Sequence, residues 1–454
     1  MEKPFETEQP GMTRRDLLKI VTAAGVGLAT TQVPGTLAAT HVNEKSVSTP
    51  SRRSSMVGVH FEPRDPVRLG IIGVGLRGTE VLSEFLAIDR VEIRAVCDVI
   101  KDKCVRAAQT IEAQGQKSPE LYYEGEHDFE HLCQREDLDF IYIATPWEWH
   151  VPQALCGLRN GKHVGTEVPA AYTIEDCWKI VHASELARRH CVLMENCCYD
   201  HAELMVHNMI RAGLLGELVH GECAYNHDLR KILFERANEG LWRRRHHVTR
   251  NGNLYPTHGF GPMARYMGIN RDDRCEYLVS VSSAHLGLEE YRKDTIAANE
   301  PEWKETYRCG DYNTTIIRTA KGRTILLQHN VSSPRPYDRI NLIQGTKGIF
   351  RDYPPRIYLD DGVGKEAWRE LDEYRDKFEP ELWKEHGETA RKVGGHGGMD
   401  YIMCRRLIQC IREGLASDID VYDAATWSVA GPLSEESVAK RSAAVNFPDF
   451  IGGN

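Results

Sequence analysis

Between residues 67 and about 200, short apolar runs alternate with stretches that are apolar only at every third or fourth position. The runs read as strands buried on both faces and the periodic stretches as helices. Strands are predicted over 67–73, 91–97, 139–144, 162–167 and 191–196, with helices between them such as 78–86 and 173–189. Such alternation predicts a parallel sheet with helices on both faces. From about 218 the pattern changes. Residues 218–226, 276–286, 313–319, 323–331 and 339–345 read as longer alternating strands, and 399–414 as a late helix. They predict an open, mostly antiparallel sheet with one solvated or interfacial face.

The first strand runs into Val67-Arg68-Leu69-Gly70-Ile71-Ile72-Gly73-Val74-Gly75-Leu76-Arg77-Gly78. Gly73, Gly75 and Gly78 have the G-x-G-x-x-G spacing of a dinucleotide-binding turn. Gly73 permits the tight turn, Gly75 lets the backbone approach a pyrophosphate, and Gly78 lets the helix pack close to the strand. The phosphates would sit at the helix N-terminus, where free N–H groups and the dipole favour an anion. A second strand ends in Asp98, 20 residues past Gly78. There an acid accepts hydrogen bonds from the adenosine ribose, and it would select NAD over NADP by repelling a 2′-phosphate.

Upstream, Thr13-Arg14-Arg15-Asp16-Leu17-Leu18-Lys19 matches a twin-arginine export signal, and an uncharged, moderately apolar stretch follows. Thr36-Leu37-Ala38 offers a small-residue cleavage site. The stretch is too polar to span a membrane, which takes about 20 predominantly apolar residues. The expectation is a protein loaded with NAD in the cytoplasm and exported folded by the twin-arginine machinery. It would be periplasmic or secreted, with no stable membrane anchor after cleavage. The 13 cysteines show no C-x-x-C pattern, and folding in a reducing compartment argues against a disulfide framework.

The 454 residues accommodate about two domains. The divisions predicted are a signal peptide over 1–39, a linker or arm over 40–66, a Rossmann NAD-binding domain over 67–200, and a substrate-binding α+β domain over 201–454. The fold class is therefore α/β, an N-terminal Rossmann domain followed by an α+β domain with a large open sheet. The net charge of −9 disfavours nucleic acid as a partner. No metal site is expected, since no second ligand stands at metal spacing from His396 in the run Gly394–Gly398. That run reads as a flexible loop near the substrate. Arg243-Arg244-Arg245-His246-His247 reads as a solvated loop with one substrate-facing Arg.

Two of the predicted parallel strands end in Thr145-Pro146-Trp147-Glu148-Trp149-His150 and Glu167-Val168-Pro169-Ala170-Ala171. Ligands bind at such carboxyl ends. Further odd blocks are Met194-Glu195-Asn196-Cys197-Cys198-Tyr199, Asn251-Gly252-Asn253-Leu254-Tyr255-Pro256-Thr257-His258-Gly259, Ser333-Pro334-Arg335-Pro336-Tyr337 and Gly394-Gly395-His396-Gly397-Gly398-Met399-Asp400. The ensemble, over about 64–450, resembles the NAD-dependent α-N-acetylgalactosaminidase family of glycoside hydrolases. That family lies within the glucose–fructose oxidoreductase/inositol dehydrogenase superfamily. The superfamily usually carries Glu-Lys-Pro where this chain has Glu167-Val168-Pro169, so the usual catalytic Lys is missing.

The resemblance implies NAD contacts at Leu76, Arg77, Asp98, Trp147, Glu148, Trp149, His150, Glu167, Val168, Asn196 and Tyr255. It implies sugar contacts at Tyr225, Arg243, Tyr255, Pro256, Thr257, His258 and Tyr337. It also implies an exo-glycosidase acting on a terminal N-acetylhexosamine by transient oxidation at C3, C2 deprotonation, elimination, water addition and re-reduction. NAD would then be regenerated in every turnover. None of the distinctive blocks presents the carboxylate pair of an ordinary glycosidase. His258 is the first candidate for proton transfer, because His titrates near working pH. Tyr255, three residues earlier, is the second, and which of the two takes the C2 proton stays open. The competing reading is a periplasmic sugar oxidoreductase with tightly held cofactor, against which the missing Lys argues. The exact sugar, the anomer and homo-oligomerisation also stay open.

Overall fold

The computed structural model describes residues 55–360 and 367–452. The predicted signal peptide, and the arm up to residue 54, lie outside the described residues. Strands β1–β6 (Val67–Ile72, Val91–Cys97, Glu120–Tyr122, Phe140–Ile143, His163–Thr166 and Cys191–Leu193) form an all-parallel sheet in the order β3-β2-β1-β4-β5-β6. β1 and β4 are wholly or almost wholly buried, as expected of central strands covered on both faces. The strand order reverses between β1 and β4, which opens a crevice at their carboxyl ends. β3 is three residues long, too short for an alternating pattern to announce it.

Nine strands form the second sheet, in the order β14-β13-β12-β11-β7-β10-β9-β8-β15. They are β7 (Leu218–Asn226), β8 (Cys275–Ser282), β9 (Asn313–Thr319), β10 (Thr324–Asn330), β11 (Leu342–Gly345), β12 (Gly348–Arg351), β13 (Arg356–Leu359), β14 (Arg369–Glu370) and β15 (Val445–Asn446). Only β7 and β10 pair in parallel; the other pairs are antiparallel. The strand expected over 339–345 begins only at Leu342. Ile340 and Asn341 have φ of 63° and 43°, which turns the chain before the strand can start.

The last helices return to the first half of the molecule. Helix Met399–Glu413 packs on helix Leu76–Leu86. Helix Val421–Ala439 lies between helix Ile174–Ala187 and β8, so it forms a wedge between the two sheets. Asp420 and Asp423 form a capping box at its start, the arrangement that satisfies the orphan N–H groups of a first turn. Its pattern is not amphipathic because it is buried nearly all round. The run 394–398 does not lie loose beside the substrate residues. It is tied to the Rossmann helix: Gly395 N–H donates to Glu84, and His396 Nδ1 lies 2.8 Å from Asp400 Oδ2.

Helix Thr257–Met267 packs closely on β7. A Cβ at Gly259 would lie 2.6 Å from the Ala224 nitrogen, so this helix meets β7 backbone against backbone. Only glycine allows that approach. As a result His258 sits on the first turn of a helix facing Tyr225, not on a loop.

Candidate active site

At the crevice, Gly73 has φ +89°, and a Cβ there would lie 2.7 Å from the Ala144 carbonyl. A Cβ at Gly78 would lie 1.9 Å from the Gly73 carbonyl. Both glycines are demanded by the fold. Gly75 is not: a Cβ there would meet nothing closer than the Lys103 ammonium at 3.7 Å. The space beside it is what a pyrophosphate needs, and helix Leu76–Leu86 starts there with no side chain capping it. Asp98 accepts the Val74 and Ile100 N–H groups at 3.1 and 2.9 Å, which holds its carboxylate at the end of β2. These features fit a dinucleotide. Lys103, one turn into the helix after β2, adds a cation beside Gly75 that the glycine motif did not single out.

We expect Gly75→Val to keep the melting temperature within a few degrees and to lose the cofactor. The check is dinucleotide released on denaturing the purified variant. Parental NAD content would mean that the backbone at Gly75 does not approach the pyrophosphate.

A cavity of about 360 Å³ runs from these residues to Trp147, Trp149, His150, Glu167, Val168, Arg243 and Tyr255. Trp147 stacks on Tyr255 with centroids 5.7 Å apart. The Arg243 guanidinium lies 4.4 Å over the Tyr255 ring and bonds Glu239 at 2.5 Å. Both ring nitrogens of His150 lie 2.8 Å from backbone carbonyls, those of Thr145 and Pro169. His150 therefore clamps the two strand-end loops together. Glu148 and Asn196 are not on the cavity wall. Glu148 pairs with Arg245, and the Asn196 amide donates to Asp400 at 2.7 Å.

Arg77 is tied into a buried charge network. It donates to Glu167 at 2.9 Å and to both oxygens of Asp400 at 2.6 and 3.1 Å. Tyr142 donates its hydroxyl to the same Glu167 oxygen. Burial, and then the Asp400 charge, push the nearby Glu84 carboxyl up to about 7.

The remaining sugar candidates gather beyond Tyr255. The Tyr225 ring is 4.8 Å from Tyr255 and 5.3 Å from His258, and Tyr255 meets the His258 ring edge-on at 5.0 Å. Tyr337 stands edge-on to Tyr225 at 6.2 Å. Pro256 starts the helix that carries His258, and Thr257 is fully buried beneath it. Burial pushes the Tyr255 phenol well above its ordinary value, so it stays neutral. The segment 243–249 is a helix rather than a solvated loop, and His246 and His247 are buried in it.

Besides Lys103, three groups were not foreseen from the sequence. His227 Nδ1 lies 3.1 Å from the Tyr225 hydroxyl. His329 is buried and stacks over Tyr225. Glu195 lies 2.7 Å from His258 Nδ1. The block around Glu195 stood out by composition, but it lies 63 residues from His258 and no spacing rule joins them. Glu195, Cys197 and His258 offer ligand atoms within 4.8 Å of one another. The carboxylate and imidazole atoms are engaged with each other, however, and the thiol donates to Asn196 Oδ1. The cluster is therefore a hydrogen-bonded one.

Residues 199–454 match the family description "Glycosyl hydrolase 109, C-terminal domain", and residues 67–196 match "Oxidoreductase family, NAD-binding Rossmann fold". A glycosyl hydrolase family 109 protein of Solibacter usitatus is 52% identical over 443 residues, covering 97% of each chain. One of Shewanella sp. is 44% identical, over 97% of this chain and 96% of its own. A levoglucosan dehydrogenase solved in complex with NADH superposes with a TM-score of 0.67 at 18% identity, over 84% of this chain and 99% of its own. An aldose–aldose oxidoreductase from Caulobacter crescentus solved with glycerol gives 0.60 at 17%, over 85% and 100%.

Proposed function

The chain belongs to glycosyl hydrolase family 109 and is a glycoside hydrolase with NAD as cofactor, and from this premise we propose that it is an exo-acting α-N-acetylgalactosaminidase working by transient oxidation of the sugar. The observation that supports this reading is the position of Tyr255. One ring forms the wall of the dinucleotide cavity and also touches His258 and Tyr225.

When bound, NAD supplies a reversible hydride exchange with C3 of the sugar, which leaves no net redox change. The chain supplies the rest. Trp147 and Val168 form an apolar wall that excludes water from that end of the cavity. Arg243, held by Glu239, positions the sugar against Tyr255. The Tyr255 hydroxyl, kept neutral by burial, orients O3 by a hydrogen bond; the O3 proton is shed to solvent as hydride leaves C3 and is regained on re-reduction. With C3 as a ketone, the C2 proton becomes acidic and His258 removes it through Nε2. The aglycone oxygen then leaves C1, water adds there, and His258, its proton exchanged with solvent in the interval, protonates C2. Tyr337 and Tyr225 hold the remaining sugar hydroxyls. We also place the enzyme outside the cytoplasm, on the twin-arginine pattern at Arg14-Arg15. No described helix is long and apolar enough to cross a membrane.

Hydrolysis of a panel of nitrophenyl N-acetylhexosaminides and hexosides in D₂O tests the reading. We expect the α-N-acetylgalactosaminide to be the best substrate, with NAD required and deuterium at C2 of the released sugar. Thioglycosides should also be cleaved, because protonation of the leaving atom matters less in an elimination. Hydrolysis with no deuterium at C2 would instead point to a two-carboxylate mechanism.

A further inference from the structure

We propose that Glu195 is a positioning residue that holds His258 in the tautomer and orientation needed for proton transfer at C2. The inference rests on the assignment of His258 as the C2 base. Glu195 follows β6 at the carboxyl edge of the parallel sheet, and His258 stands on the first turn of helix Thr257–Met267. Two separately built elements therefore bring a carboxylate and an imidazole together.

The geometry is specific. Glu195 Oε1 lies 2.7 Å from His258 Nδ1 and also accepts the Cys197 N–H at 3.2 Å. The Glu195 side chain is 0% exposed, and that of His258 is 15% exposed. A carboxylate acts here only as an acceptor, so Nδ1 carries the proton and the basic lone pair is left on Nε2. The pair is built to stay ionised on the acid side. Burial pushes the Glu195 carboxyl up, but the His258 imidazole, its hydrogen bond and the Cys197 N–H outweigh burial and hold the carboxyl below the usual range.

The Thr257 hydroxyl also lowers the Glu195 carboxyl. A buried charge of this kind is retained where it acts on a neighbour, since burial alone is costly. When His258 takes the C2 proton, the carboxylate stabilises the imidazolium, as a buried acid does for a catalytic histidine. The other titratable groups facing the pair are the Cys197 and Cys198 thiols on its own turn, Tyr225 from β7 and His227 just after it, Tyr255 before the helix, and Arg265 further along it. The two thiols are pushed up by burial, and burial lowers His227. None of these groups bonds His258 Nδ1.

Kinetics of Glu195→Gln, His258→Ala and the double variant, each NAD-loaded, make the test. We expect Glu195→Gln to lower kcat by about 10²-fold with KM within about threefold. Added to His258→Ala, it should cost less than about threefold more, because both changes disable one unit. ¹⁵N spectra of the resting enzyme should show His258 as the Nδ1–H tautomer in the parent and as a mixture in Glu195→Gln. Should Glu195→Gln fail to accumulate, Glu195→Asp withdraws the carboxylate by one methylene and is read the same way. Near-parental kcat in a folded Glu195 variant, with His258→Ala strongly impaired, overturns the inference alone. So does a double variant in which the two losses multiply. Parental turnover in His258→Ala itself overturns the base assignment on which the inference rests.

Discussion

His258→Ala is expected to lower kcat by about 10²–10⁴-fold, the usual contribution of general acid–base catalysis. NAD content should stay close to the parent, while the melting temperature should fall, because Glu195 loses its buried partner. The imidazole is not a core element: it is partly exposed and lies on the first turn of a helix whose docking depends on Gly259 against β7. The dinucleotide cavity does not include His258 among its walls, so NAD should load normally. Removing the ring leaves Glu195 buried without its partner. Loss of half of a buried pair costs stability, and His258→Gln, which retains a hydrogen-bond donor, is the control for it. Turnover and thermal melting at saturating substrate decide the matter. A folded, NAD-loaded variant turning over within about threefold of the parent is too small an effect for a proton-transfer residue.

The parallel half of the fold was legible because its code is local. Short apolar runs and the glycines Gly73, Gly75 and Gly78 act within a few residues of one another, and Asp98 follows at a fixed spacing of 20 residues from Gly78. The second sheet was legible as alternation but not as topology, since nothing local says that β7 pairs with both β10 and β11. The site divides the same way. Tyr255 and His258 were singled out as candidates because they share one odd block. Glu195, His227, His329 and Lys103 were not, because their meaning arises only when elements far apart in sequence meet. The segment 243–247 misled for a related reason. A run of five cationic or imidazole residues reads as solvated, yet here Arg243 and His246 are buried against Trp147, Tyr255 and Glu239, and His247 against His329. The Gly394–Gly398 run looked like a substrate loop. Its positive φ values instead let Gly395 and His396 reach Glu84 and Asp400 on the cofactor side.

That cofactor side carries the second large expected effect. Arg77→Met should destabilise the protein by about 3–5 kcal/mol at pH 8, the range for breaking a buried ion pair. Arg77 is bonded to Glu167 and to both oxygens of Asp400, and Asp400 is 0% exposed. Methionine preserves the apolar stem but leaves these two carboxylates, beside Glu84, in a site that burial has already made hostile to negative charge. The loss should depend on pH with a definite sign. In the parent, burial pushes the Asp400 carboxyl up, but Arg77 and His396 outweigh it and hold it well below its ordinary value. Its pairing therefore stabilises above that ordinary value and is lost as pH falls through the lowered one. In the variant the same carboxyl is raised by burial, so its cost is greatest at high pH and fades as it takes a proton. The gap in melting temperature between parent and Arg77→Met should narrow from pH 8 to pH 5. Arg77 also lines the dinucleotide cavity, so the variant should lose NAD, and the comparison is best made with both proteins stripped of cofactor. A gap that stays constant or widens toward pH 5 would show that the buried carboxylates are not what Arg77 stabilises.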